Sequence, residues 1–252
     1  MNNNNLKIKE IFVSALQHHK KNNFKVAENL YKEILKTNPD HFESIFYLGS
    51  LSVQTKNFDE GKQLLQKAIK IQPNFANAHN NLGILFKELG EHKKAMAHFQ
   101  KAIKIKPNFE NAHYNIGVAF DKLHEFQKAV GYYEKAIQIN PNYVVAYNNL
   151  ANSFKELGEF QKAIDCYEKA IQINPNYIAA YNNLGTILGE LNHINEAKKY
   201  FEKSLNLDPN NKKACEGYGE ILLKLNQHSK AIAYIKKGTG LIQFTEKAVK
   251  II

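Results

Sequence analysis

Asparagine stands at positions 81, 115, 149 and 183, four primary amides spaced 34 residues apart. A primary amide donates through its NH2 and accepts through its C=O, so a row of them matches the backbone groups of an extended polypeptide without demanding a particular side chain. Each such bond contributes about 0.5–1.5 kcal/mol, so several in series could hold a flexible segment while tolerating its sequence. Asn77, Asn111, Asn152 and Thr186 extend the same stripe. Two features weigh against reading every amide as a ligand. The chain holds 31 Asn, and Glu134–Tyr143 recurs verbatim as Glu168–Tyr177, so duplication copies an amide along with its surroundings.

The other reactive residue types form no catalytic pattern. His18 and His19 are adjacent and therefore point to different sectors of a helix, and no H-E-x-x-H spacing exists to hold zinc. His79 and His113 recur at one apolar helix position, where a satisfied packing role is expected. Cys166 and Cys215 have no spacing typical of a zinc or redox motif, and are expected to be structural thiols of a reducing compartment. Gly217-Tyr218-Gly219 falls inside a helical pattern and Gly238-Thr239-Gly240 follows one, so neither reads as a phosphate loop. Asp59 and Glu60 sit where a helix starts and complement its dipole. The sequence therefore assigns no catalytic residue, no cofactor and no metal ligand.

These residues are positioned by a repeat. Proline recurs at 39, 73, 107, 141, 175 and 209, always at intervals of 34, and a period of this size signals one supersecondary unit copied end to end. With the proline at position 32, the frames begin at Ile8, Phe42, Ala76, Glu110, Val144, Ile178 and Lys212 without an insertion. Large apolar residues occupy position 7 (Leu82, Ile116, Leu150, Leu184), Gly or Ala occupies position 8 (Gly83, Gly117, Ala151, Gly185), and position 11 is apolar again (Phe86, Phe120, Phe154, Leu188). Positions 4, 7, 8 and 11 share one stripe of a helix, so the first half of each unit is an amphipathic helix notched for close approach. Ala at position 20 (Ala95, Ala129, Ala163, Ala197) and an aromatic at position 24 (Phe99, Tyr133, Tyr167, Phe201) mark a second helix. Position 15 carries Gly90 and Gly158, with Asn22, Asn192 and Asn226 as the next best residues for a left-handed helix end, and Lys56 and His124 as poorer ones. The residues after the prolines, Asp40, Asn74, Asn108, Asn142, Asn176 and Asn210, are expected to open the next helix. On this wheel positions 2, 6, 9 and 13 lie opposite the buried stripe, which predicts that the asparagine row faces solvent.

This pattern resembles the tetratricopeptide repeat family over residues 8 to about 238, with Leu-Gly at 7 and 8, Ala at 20, an aromatic at 24 and Pro at 32 recurring together from Ala76 to Asn211. It departs from the family in having no Trp, and Ser14 and Ala15 stand where Leu-Gly belongs in the first repeat, as in a terminal cap. The resemblance implies an all-α solenoid, a right-handed superhelix of about seven helix-turn-helix repeats, whose first helices line a concave surface. Asn77, Asn81, Asn111, Asn115, Asn149, Asn152, Asn183 and Thr186 would then line a groove that binds extended segments of other proteins, making the chain a scaffold or adaptor and not an enzyme. The ladder is similar in pattern to the repeat arm of protein O-GlcNAc transferases, which implies as an alternative a substrate-recruiting arm with its enzyme elsewhere. Repeats that grip the C-terminal carboxylate of chaperones imply a lesser alternative, for which the best register is Asn148, Asn152, Asn183, Lys213 and Gly217; the last of these lacks the cation that the pattern calls for.

The expected divisions are a disordered tail over 1–7, repeats over 8–41, 42–75, 76–109, 110–143, 144–177, 178–211 and 212–238, and a capping helix or truncated eighth repeat over 239–252. Net charge is +10, carried by 34 basic residues that are all Lys. Without Arg the chain lacks the planar fork that reads guanine and phosphate, and many lysines alternate with Glu as on a solvated face, so nucleic acid is not the expected partner. The start is polar and no stretch nears 18 apolar residues, which predicts neither a signal peptide nor a membrane span and suggests a cytoplasmic protein. The partner's identity and the oligomeric state are not encoded in any motif.

Overall fold

The computed structural model describes residues 3–239, 242–245 and 248–251, with side chains over 5–239. The helices fall into two compact units, Met1–Leu123 and His124–Ile252. The first contains α1 (Asn3–Lys20), α2 (Phe24–Thr37), α3 (Phe42–Gln54), α4 (Phe58–Ile71), α5 (Ala76–Glu88), α6 (His92–Ile105) and α7 (Glu110–Lys122). The second contains α8 (Phe126–Ile139), α9 (Val144–Glu156), α10 (Phe160–Ile173), α11 (Ile178–Glu190), α12 (Ile194–Leu207), α13 (Lys212–Lys224) and α14 (His228–Thr239), followed by strands β1 (Ile242–Thr245) and β2 (Ala248–Ile251). Within each unit a helix packs on its sequence neighbours, and first helices also touch the first helix of the next repeat. This is an all-α helical-repeat fold.

The turn inside each repeat forms where the phase of the sequence places it. Asn22, Lys56, Gly90, His124, Gly158, Asn192 and Asn226 all adopt positive φ, between 57° and 75°. Lys56 and His124 hold that conformation without the glycine that would relieve it, which shows that packing of the flanking helices sets the turn. The link between repeats differs from expectation. The residue after each proline stays in the turn, and the helix begins two residues later. The residue before the proline makes the side-chain contact: Asn140 Oδ1 accepts from the N–H of Asn142 at 3.1 Å, Asn174 from Asn176 at 3.0 Å, and Asp208 from Asn210 at 3.0 Å. Among the described caps of α2–α13, His41 and Asn211 are the side-chain N-caps, accepting from the backbone of Ser44 and Ala214.

The notch is filled by a ring. Tyr31, Phe99, Tyr133, Tyr167 and Phe201 are almost wholly buried, as are Ala27, Ala95, Ala129, Ala163 and Ala197 at position 20 of the same helices. A Cβ on Gly83 would lie 2.5 Å from Cδ1 of Phe99, and one on Gly185 would lie 3.0 Å from the Phe201 ring. The aromatic edge thus occupies the space that a side chain at position 8 would take, and burying such a ring contributes about 2–3 kcal/mol. At position 4, His79 and His113 donate Nε2–H to the carbonyls of Pro73 and Pro107 at 3.2 and 2.9 Å. Those two imidazoles tie each first helix to the preceding turn.

Both chain ends depart from expectation. Residues 3–7 of the supposed tail over 1–7 are helix, because Asn3–Lys20 runs on as one element and lengthens α1 by more than one turn; residues 1 and 2 lie outside the described residues. The supposed eighth helix over 239–252 is replaced by a hairpin in which Ile242 pairs with Ile251, Gln243 with Lys250, Phe244 with Val249 and Thr245 with Ala248. The physical reason is local: Ile242 and Phe244 on β1, and Val249 and Ile251 on β2, are β-branched or aromatic residues spaced at period two, and they pair with one another across the hairpin.

Candidate functional site

The asparagine row is present, but it is not a free solvent face. Asn115 is buried, Asn81, Asn149, Asn152, Asn183 and Thr186 are half-buried, and Asn77 and Asn111 are exposed. In the first unit Asn81 Nδ2 donates to Ser50 Oγ at 2.7 Å, and Asn115 Nδ2 donates to Asn80 Oδ1 at 3.2 Å. In the second, Asn183 Nδ2 donates to Asn148 Oδ1 at 3.0 Å and to Asn152 Oδ1 at 3.3 Å. Each of these bonds runs from position 6 of one repeat to position 5 or 9 of the repeat before it. The expectation of solvent-facing amides is therefore corrected. A wheel drawn for one helix leaves that face open, whereas the adjacent first helices, α3 with α5 and α9 with α11, approach closely enough to share it.

The rest of the network consists of residues that the one-helix reading did not select. Asn80, Asn148 and Asn182 at position 5 are buried. Asn182 Nδ2 donates to Asn211 Oδ1 at 2.9 Å while its Oδ1 accepts from Ser204 Oγ at 2.6 Å. Tyr167 donates its hydroxyl to Asn152 Oδ1 at 2.6 Å, and Thr186 bonds back to the carbonyl of Asn182 at 2.8 Å. A signal for position 5 existed in the dipeptides Asn80-Asn81, Asn148-Asn149 and Asn182-Asn183, which share the same phase.

The face is polar, preorganised and cationic at one point. Lys213 donates to Asn183 Oδ1 at 2.7 Å. Burial, and then the charge of Lys155, holds its ammonium below the usual lysine range. Lys155 itself pairs with Glu190 at 2.7 Å. Asn148, Asn152, Asn183 and Lys213 of the chaperone-tail register are thus joined in one network, but Gly217 does not complete it. A Cβ on Gly217 would lie 2.5 Å from Cε1 of Phe201, so the ring excludes the side chain that would carry the missing cation. At the other end of the row, Ser50 and Asn81 border a cavity of about 470 Å3 whose apolar wall is Leu16, Phe46 and Tyr47.

Elsewhere the thiols are inert: burial pushes Cys166 up to about 11 and raises Cys215 as well, so neither is a thiolate at neutral pH. No helix among the described residues is long and apolar enough to cross a membrane.

Tetratricopeptide repeat models match residues 76–109, 110–143 and 144–177, residues 178–211 and 213–244, and residues 18–85. No curated protein matches the chain. Among solved structures, pilF of Pseudomonas aeruginosa is 20% identical over 77% of this chain and 88% of its own, with a TM-score of 0.71. A tetratricopeptide repeat protein from Parabacteroides merdae is 18% identical over 95% and 94%, with a TM-score of 0.69. YrrB, described as a tetratricopeptide repeat protein with an unusual peptide-binding site, is 17% identical over 73% and 95%, with a TM-score of 0.58. At these identities the likeness shows the fold alone, and nothing among the matches ties the chain to glycosyltransferase arms in particular. Repeats of this kind are in general non-catalytic scaffolds that bind other proteins. The chain belongs to the tetratricopeptide repeat family.

Proposed function

We propose that this protein is an interaction scaffold that binds extended segments of other proteins along the first helices of its repeats. The observation that carries the reading is the amide network: Asn81, Asn115 and Asn183 are held in fixed orientation by bonds to the preceding repeat. A half-buried amide so held, such as Asn81 or Asn183, presents the acceptor capacity left on its carbonyl without the rotamer entropy that a free surface side chain loses on binding. Amides recognise backbone, so this face favours extended conformation over particular sequence. The cavity beside Ser50 and Asn81 offers one apolar socket along the path.

The test is selection of peptides from a random displayed library, followed by two blocking variants at exposed position-2 residues, Asn77→Arg in the first unit and Ala179→Arg in the second. Neither residue is buried, so both variants should fold. Enriched peptides should bind wild-type protein and lose about tenfold or more in affinity to the variant that blocks their unit, the equivalent of ~1.4 kcal/mol. Peptides that bind both variants as tightly as wild type would place recognition elsewhere and remove this reading.

A further inference from the structure

The second helices differ in charge, and α6 and α14 are the two that carry lysines without an acidic residue. α6 carries Lys93, Lys94, Lys101 and Lys104 and no acidic residue at all, whereas α10 sets Asp165 and Glu168 among its lysines and α12 sets Glu196 and Glu202. One repeat earlier, Lys67 of α4 is neutralised by Asp40 at 2.8 Å. The residue equivalent to Asp40 is Asn74, and the residue equivalent to Lys67 is Lys101, so the substitution removes the counter-charge. Lys101 and Lys104 form no ion pair among the described residues.

These two lysines edge a cavity of about 650 Å3 between α4, α5 and α6. Its apolar wall is Ile69, Pro73 and Ile105, and its polar groups are Asn74, His79, Lys101 and Lys104. His79 is committed at both nitrogens: Nε2–H goes to the Pro73 carbonyl, and Nδ1 meets His98 Nδ1 at 3.3 Å. The imidazole therefore serves as wall, and the lysines are left as the groups that can meet a ligand.

We propose that this cavity docks an acidic polypeptide segment, with an apolar side chain seated between Ile69 and Ile105 and flanking carboxylates against Lys101 and Lys104. The aliphatic wall suits a side chain such as Leu, and the cations have no internal partner to give up. Nucleic acid fits less well, because no Phe, Tyr or Trp lines the cavity for base stacking and the chain has no Arg to fork onto phosphate. The lysines of the site stand on the second helix α6 and not on the first helices that carry the amide row, so it would recruit a second partner or a second part of the same one.

The His79–His98 pair provides a built-in reporter. Burial lowers the pKa of both rings, that of His98 to about 4, and the Lys101 charge adds to the depression in each. Carboxylates placed on Lys101 would screen that charge and let both rings titrate closer to their ordinary value. The experiment is NMR titration of histidine-labelled full chain with a synthetic peptide in which one Leu is flanked by Asp and Glu. We expect saturable shifts of the His79 and His98 ring signals and raised titration midpoints. In the double variant Lys101→Gln/Lys104→Gln affinity should fall by about tenfold, since two exposed charge pairs are removed. Both lysines are exposed, and circular dichroism verifies the fold of the variant. Ala179→Arg, which blocks the first-helix face of the second unit, should leave this titration unchanged. Unperturbed histidine signals, equal affinity for the Asn/Gln version of the peptide, unaltered binding by the double variant, or equal affinity for a single-stranded DNA oligonucleotide of the same charge would each overturn the proposal.

Discussion

Asn183 illustrates how one residue joins stability to recognition. Its NH2 reaches Asn148 and Asn152 of the preceding repeat, and its carbonyl takes the ammonium of Lys213 from the following one. Asn183→Ala would leave a buried carbonyl on Asn148 without its donor and the exposed Lys213 without this acceptor. We expect a loss of about 1–3 kcal/mol in urea unfolding, the range for orphaning such groups. Asn77→Ala, at an exposed position on the same helical face of an earlier repeat, should change stability by less than about 0.5 kcal/mol. Equal effects from the two would mean that the network contributes nothing beyond ordinary surface polarity. That Asn81, Asn115, Asn149 and Asn183 share a face was legible from their spacing. That the amides of Asn81, Asn115 and Asn183 bond to the neighbouring repeat was not, because the partners of these three lie 31 or 35 residues away in sequence and are brought close only when first helices pack side by side.

At the scale of the element, the α5–α6 pair carries a pH dependence through two histidines shifted by burial. His98 is faced by His79 from α5 and Lys101 from α6, and Phe86, which stacks on it at 5.4 Å, has Lys62 of α4 and Lys94 of α6 over its own ring. Both histidines titrate lower in the folded chain than in the unfolded one, where an imidazole titrates near ~6.5. Between those values the unfolded state binds more protons. Their contribution to stability is therefore complete above about pH 6.5 and is lost as pH falls towards the folded value of about 4 for His98. Tyr132, Cys166 and Tyr200 occupy the same position in later repeats, so His98→Tyr suits the fold. Thermal melts at pH 7 and pH 5 should show the wild type losing more than this variant, and parallel losses would contradict the account. The helix pairs themselves were legible down to the residue at each left-handed turn. The link between repeats was misplaced because Asn140, Asn174 and Asp208 act from before the proline, a side-chain bond that competes with the N-cap role expected just after it.

For the molecule as a whole, a chain whose helices contact only their near neighbours has no single centre, and its stability is a sum over local interfaces. Hydrogen exchange should accordingly be graded within each unit. Amides of α3–α5 and α9–α12, packed on both sides, should exchange slowest, while those of α1 and α14 fray. Uniform protection along the chain would show a cooperativity that nearest-neighbour packing does not provide. The sequence by itself determined the period, the helix pairs, the position of every left-handed turn and the ring-into-notch packing, because each depends on residues close together within one 34-residue unit. Only the tertiary structure decided which atoms of successive units meet. The offset between stacked repeats turned an apparently open row of amides into a bonded network, set the Phe201 ring where Gly217 must remain bare, and left Lys101 beside a cavity without the counter-charge that Lys67 has. Those outcomes depend on distances between residues one repeat apart, which a pattern read within a single helix does not contain.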